Sequence, residues 1–194
     1  MSSIEDFLSV AEERKVRYAL LGALAVSAIR PFRTTHDVDV AVHPADLWKL
    51  KQGLSNLGYV LLENPRLGKL EFKHRVKGDI DVYVEKISGL SVKQLLERAV
   101  EAEIDERRVR VISPEDALLL KALAGRERDL ADIAVILMEV GDRIDWEYVK
   151  TMGGELGLDL KNILRRSIER LPISVDNPPK VRKTLRRLID DVFR

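Results

Sequence analysis

Two short acidic segments hold the chemistry open to this chain: Asp37-Val38-Asp39-Val40 and, forty-two positions later, Asp79-Ile80-Asp81-Val82. In an extended strand, residues i and i+2 share a face. Each segment therefore places two carboxylates on one face and branched apolar residues on the other. Asp is depleted in strands, and crowded like charges resist ionisation unless a cation neutralises them. If the two strands are neighbours, up to four acidic groups converge, which suits a divalent metal better than a core. The competing reading is a solvated edge strand with lysine partners, which leaves the repeated acidic pattern unexplained.

The surrounding pattern supplies elements to hold these groups. Ser3 caps a first helix whose Ile4, Phe7, Leu8 and Ala11 recur at helical spacing. Val16 to Leu21 reads as a buried strand ended by Gly22, and Ala23 to Arg30 as a helix stopped before Pro31. Phe32 to His36 is a loop into the first acidic strand, Asp37 to Val42. A helix from Pro44 to about Leu57 precedes Gly58, and Tyr59 to Leu62 reads as a strand. Leu70 to Val76 alternates as a strand with one wet face and forms a hairpin, through Lys77-Gly78, with the second acidic strand. A helix from Ser91 to Ala102 and a strand from Arg108 to Ile112 follow. From Ser113 the chain turns helical, with Ser113-Pro114-Glu115-Asp116 as a helix start. Further helices are expected at Glu127 to Val140, Trp146 to Met152, Asp159 to Arg170 and Pro179 to Phe193, with Gly153-Gly154 and Gly157 as a helix-end turn. This divides the chain into a core over residues 1–112 and a helical region over 113–194 that packs on it.

The order strand, Gly22, short helix, loop, Asp37-x-Asp39 and later acidic strand resembles the nucleotidyltransferase fold shared with DNA polymerase β. More closely, it is similar to the minimal and AbiEii-type nucleotidyltransferases of prokaryotes. The matching residues are Leu21-Gly22-Ala23, Arg33-Thr34-Thr35-His36-Asp37-Val38-Asp39, Asp81, Ser113-Pro114-Glu115-Asp116, Lys121 to Arg126, and Arg128 to Asp132. The resemblance implies an α+β (α/β) fold with a mixed central sheet flanked by helices. It implies a Mg²⁺-dependent enzyme moving NMP from an NTP to an acceptor hydroxyl on an RNA end, a protein or a small molecule. An antitoxin partner is also implied.

Two Mg²⁺ ions can stabilise both attacking and leaving oxygens of such a displacement, and Mg²⁺ prefers carboxylate oxygens. The resemblance gives Asp37 and Asp39 to both ions and Asp81 to the nucleophile-side ion, with Asp79 as the alternative third carboxylate. Gly22 and Ala23 open a helix whose N–H groups can receive the triphosphate. The family has Gly-Gly or Gly-Ser there, so Ala23 lacks a hydroxyl donor. For Arg33 and Thr34 or Thr35 the resemblance implies phosphate contact and loop shaping, with Thr35 taken as the nucleotide-binding one, while Arg33 equally suits a surface position. Lys121 and Asp129 either line the nucleotide site or form an interhelical ion pair.

Composition sets outer limits. With no cysteine there is no disulfide framework, thiolate nucleophile or Cys-ligated zinc. The three histidines are irregularly spaced, so a histidine metal site is not expected. The first fifteen residues lack the order of a signal peptide, and the apolar stretch from Tyr18 to Ile29 falls short of the roughly 20 residues that span a bilayer. A cytoplasmic protein without membrane partners is expected. The charged share of 34% with few Asn, Gln and Met points to a heat-adapted source. The net charge of +1 hides an asymmetry: residues 160–194 carry ten Lys or Arg against four Asp or Glu. Two other readings remain: a catalytically degenerate member that binds nucleotide or a partner, and an RNA-binding module driven by the basic tail.

Overall fold

The structure is a computed structural model that describes residues 2–30, 37–64, 68–172 and 175–194. Arg33 and Thr35, with Thr34 and His36, lie outside the described residues. The chain forms two compact units: Met1–Ala28 with Arg33–Ser113, and Ile29–Phe32 with Pro114–Arg194.

The first unit is built on a mixed sheet. It contains α1 (Ser3–Glu13), β1 (Tyr18–Leu20), α2 (Gly22–Ile29), β2 (Val38–Val42), α3 (Leu47–Asn56), β3 (Val60–Asn64), β4 (Lys69–Lys73) and β5 (Ile80–Tyr83). Then come β6 (Lys86–Ile87), β7 (Leu90–Ser91), α4 (Val92–Arg98), β8 (Val100–Ile104) and β9 (Arg107–Val111). Among the described residues, seven strands pair in the order β3-β4-β5-β2-β1-β9-β8, while β6 and β7 form a separate short ribbon. The pairs β2–β5 and β1–β9 are parallel and the others antiparallel.

The two faces divide as alternation requires. Val38, Val40, Val42, Phe72, Ile80 and Val82 share one face and are at most 1% exposed. Phe7 of α1 meets Tyr18 edge-to-face at 5.1 Å on this side. The polar residues of β2, β4 and β5 fall on the opposite face, so burial of one face holds the other in register.

Several boundaries differ from the sequence reading, each for a local reason. Ser2, not Ser3, caps α1: its hydroxyl accepts from Glu5 N–H, and Glu5 returns a bond to the Ser2 N–H at 2.6 Å. The expected helix through Ala102 ends at Arg98, and Val100–Ile104 is a strand paired with β9. Their two-residue turn uses Asp105 and Glu106, both at positive φ, without a glycine. The helix expected to end at Met152 runs on through Gly153 and Gly154 to Glu155, and Gly157, at φ +69°, lies in the turn just beyond it.

The second unit is helical: α5 (Pro114–Ala124), α6 (Glu127–Val140), α7 (Trp146–Glu155), α8 (Leu160–Ser167) and α9 (Pro178–Val192). Helix α6 packs against α5, α8 and α9. Its Ile133, Ala134, Val135 and Ile136 are completely buried. Gly153 is needed because a Cβ there would strike Leu160 of α8. Among the described residues, no helix is long and apolar enough to cross a membrane.

Candidate active site

Register brings the two acidic segments together. In the parallel β2–β5 pair, Asp39 lies directly opposite Asp81, and in the antiparallel β4–β5 pair Asp81 lies opposite Glu71. Three carboxylates thus run in one row across three adjacent strands, about 5 Å apart from strand to strand. Asp37 and Asp79 each sit one residue before their strand. The Asp79 carbonyl accepts from Val38 N–H at 3.0 Å, so the two segments are already joined there. Asp37 is exposed and Asp39 half-buried.

Lysines from β4, which sequence reasoning did not single out, enter this row. Lys69 Nζ bonds Asp81 and also Glu71 at 2.9 Å. Lys73 Nζ bonds Asp79 at 2.6 Å and approaches Glu71 at 3.6 Å. Burial works to lower the Lys69 ammonium, but Asp81 and Glu71 outweigh it and hold its pKa well above the ordinary lysine value. The Lys69 hydrogen bond in turn holds Glu71 below the usual carboxylate range. Tyr83, two residues beyond Asp81 on the same face, has its phenol pushed up to about 12, first by burial and then by Asp39. The signal for these residues was the wet face of β4 together with the expected hairpin, which puts Lys69, Glu71 and Lys73 beside the second acidic strand.

Gly22 closes the site from the other side. It opens α2 with φ +59°, and the Leu21 N–H before it donates to the Asp39 carbonyl at 2.8 Å. A Cβ at Gly22 would run into the Asp39 carboxylate, with its Cγ at 3.2 Å and Cβ at 3.3 Å. Only glycine permits both the left-handed backbone and this close approach. Ala23 follows on the first turn and is buried.

Do these residues fit a cation? Among the described residues, no three His, Cys, Asp or Glu side chains gather as a metal-binding group. Two features of the row nevertheless suit one. Asp81 Oδ1 is buried without a hydrogen-bond partner, a costly state that a cation would relieve. Lys69 and Lys73 are shared by Glu71, Asp79 and Asp81, three carboxylates against two ammonium groups, with Asp39 in the same row.

Lys121 and Asp129 lie in the second unit. Lys121 Nζ reaches Asp132 at 2.5 Å and Asp129 at 3.3 Å, and all three side chains are at most 8% exposed. Asp129 also accepts from Arg126 Nε at 2.6 Å and from the Arg126 N–H at 3.2 Å. Burial would raise the Asp129 pKa, but Arg126 and Lys121 hold it below the usual carboxylate range. The interhelical ion pair is therefore formed, and it is buried rather than superficial.

No curated protein matches the chain. The fold is similar to that of the antibiotic-resistance factor ANT(2'')-Ia, at 16% identity over 79% of this chain and 89% of that one, with a TM-score of 0.63. A second structure of ANT(2'')-Ia, in complex with adenylyl-2''-tobramycin, has the same identity and TM-score and is covered over 94%. The lincosamide antibiotic adenylyltransferase LnuA, lincomycin-bound, is 21% identical over 70% of this chain and 96% of that one, with a TM-score of 0.56. The family described as nucleotidyltransferases of unknown function (DUF6036) matches residues 2–168. The chain belongs to this family and has the nucleotidyltransferase fold.

Proposed function

We propose that this protein transfers a nucleoside monophosphate from an NTP to an acceptor hydroxyl at the Asp39–Asp81 row. The observation that carries the proposal is the direct pairing of Asp39 with Asp81 on adjacent parallel strands, with Gly22 pressed against Asp39. In the reaction, the acceptor oxygen forms a bond to the α-phosphorus and the bond to pyrophosphate breaks. The hydroxyl proton passes to a carboxylate of the row.

Mg²⁺, held by Asp39, Asp81 and the adjacent Asp37, would supply charge neutralisation at the phosphate oxygens. Asp81 is preferred to Asp79 as the third carboxylate. It stands opposite Asp39, whereas Asp79 precedes the strand and is twice as exposed. The opening N–H groups of α2 at Gly22 and Ala23 present a positive dipole end to the triphosphate. Arg33 and Thr35 belong to the proposed phosphate contacts on the strength of the motif alone. Lys121 and Asp129 are kept outside the reacting set because their bonds are already committed to Arg126, Asp132 and each other.

The test is transfer of label from [α-³²P]NTP with Mg²⁺ present, comparing the natural chain with Asp39→Asn and Asp81→Asn. Both variants should keep the circular dichroism melt and lose transfer by at least about 100-fold, the scale of removing one electrostatic stabiliser. Undiminished transfer in either variant refutes the assignment.

A further inference from the structure

The last helix carries a charged surface that the proposed reaction does not use. Helix α9 buries Leu185 and Ile189, which fixes its inner side. At 3.6 residues per turn, Lys180, Lys183 and Arg187 fall within an arc of about 60° on the opposite side, spread over about 10 Å of axis. All three are exposed.

The arginines beside them on α9 have acidic partners, and among the described residues these three have none. Arg186 bonds Glu169 at 2.7 Å, with Arg182 at 3.6 Å from the same carboxylate. Arg165 of α8 bonds Asp190 at 2.6 Å, and Arg170 bonds Glu127 at 2.5 Å. Asp191, one turn past Arg187, is taken by Arg194 at 3.2 Å. No acidic group among the described residues lies within ion-pair distance of Lys180, Lys183 or Arg187. The fold thus neutralises the flanks of α9 and leaves one stripe of three cations for something outside the chain. All of α9 lies beyond the segment that matches the family.

We infer that this stripe is a docking surface for the phosphate backbone of RNA. Evenly spaced cations on a helix suffice for backbone phosphate binding, which needs no apolar anchor. A protein partner would need aromatic or aliphatic anchors. The large hydrophobic side chains exposed among the described residues are Trp48, Leu57, Val60, Leu62, Val76 and Val100, all in the first unit. A membrane surface would need a free apolar face on the helix, and that face is occupied by Leu185 and Ile189.

The experiment titrates the full chain against a labelled single-stranded RNA from about 50 to 200 mM salt, where each phosphate contact contributes about 0.7 to the log–log slope. Replacing Lys180, Lys183 and Arg187 with Gln removes three contacts and should lower the slope by about 2. The natural chain should therefore lose about 20-fold more affinity than the variant across that range. Replacing the exposed Lys86, Lys93 and Arg107 of the first unit with Gln removes equal charge and should leave the slope unchanged. Asp81→Asn should bind RNA normally, which separates this surface from the proposed chemistry. The inference is overturned by no RNA binding in the natural chain, an unchanged slope in the first variant, or equal losses in both triple variants. Tighter binding to anionic vesicles or to poly-glutamate than to RNA would overturn it too.

Discussion

Replacing Gly22 with Ala tests the close approach on which the site depends. Two costs add. A non-glycine residue at φ +59° pays about 1–2 kcal/mol for the left-handed backbone. The new Cβ also meets the Asp39 carboxylate, and forcing a group into a filled space costs about 1–3 kcal/mol more. Asp39 cannot simply retreat, because its carbonyl is bonded to the Leu21 N–H and its strand is paired on both sides. The control is Gly157→Ala, at φ +69° with nothing within 4 Å of the added Cβ, so that it pays the backbone cost alone. Thermal unfolding should show a loss of about 1–2 kcal/mol for Gly157→Ala and about 2–5 kcal/mol for Gly22→Ala, each kcal/mol being about 2–4 °C in a chain of this size. Transfer activity should fall only in the Gly22 variant. Equal losses of stability with equal activities would refute the claim that Gly22 is matched to Asp39.

Lys121→Met leaves Asp129 and Asp132 buried without their lysine and should cost about 3–5 kcal/mol, read from the urea midpoint. A change below about 1 kcal/mol would show that the pair is not structural. Asp46, bonded by Arg17 and Lys49, has its carboxyl held well below the ordinary carboxylate value, chiefly by the Arg17 hydrogen bond. Its contribution is complete above about pH 4 and is lost as pH falls below the unfolded value towards the folded one. Arg17→Met should therefore lower stability at pH 7 and flatten its decline between pH 4 and 2; parallel curves for the two proteins would disprove the linkage. Glu106→Gly relieves a positive φ in the β8–β9 turn and should raise stability by about 1 kcal/mol, seen as a higher melting temperature.

Much of the first unit was legible because its signals are local. Alternation around Asp39 and Asp81 gave two strands with apolar and acidic faces, and the structure pairs them residue for residue. Gly22 marked the turn into α2, and Ser113-Pro114 marked the start of α5. Strand β8 was not legible: Val92, Leu95, Leu96 and Ala99 keep a helical period into it, and the turn after it lacks the glycine that announces a hairpin. The contribution of β4 was half legible. Its wet face was plain, but only the register shows that Lys69 and Glu71 stand against Asp81 rather than solvent. The Lys121 ion pair was one of two readings but its burial was not legible, since the same spacing serves a surface pair or a buried one, and tertiary burial decides between them.

The route by which β2 and β5 become neighbours also bears on how the molecule comes into being. Parallel strands cannot be joined by a tight turn, and here α3, β3 and β4 all intervene before Asp81 meets Asp39. Contacts so distant along the polymer pay their loop-closure entropy before they return any stabilisation. A nascent chain still short of β5 consequently holds half of the acidic set with nothing opposite it. Chemical competence should thus arise late in folding, after the intervening elements are in place.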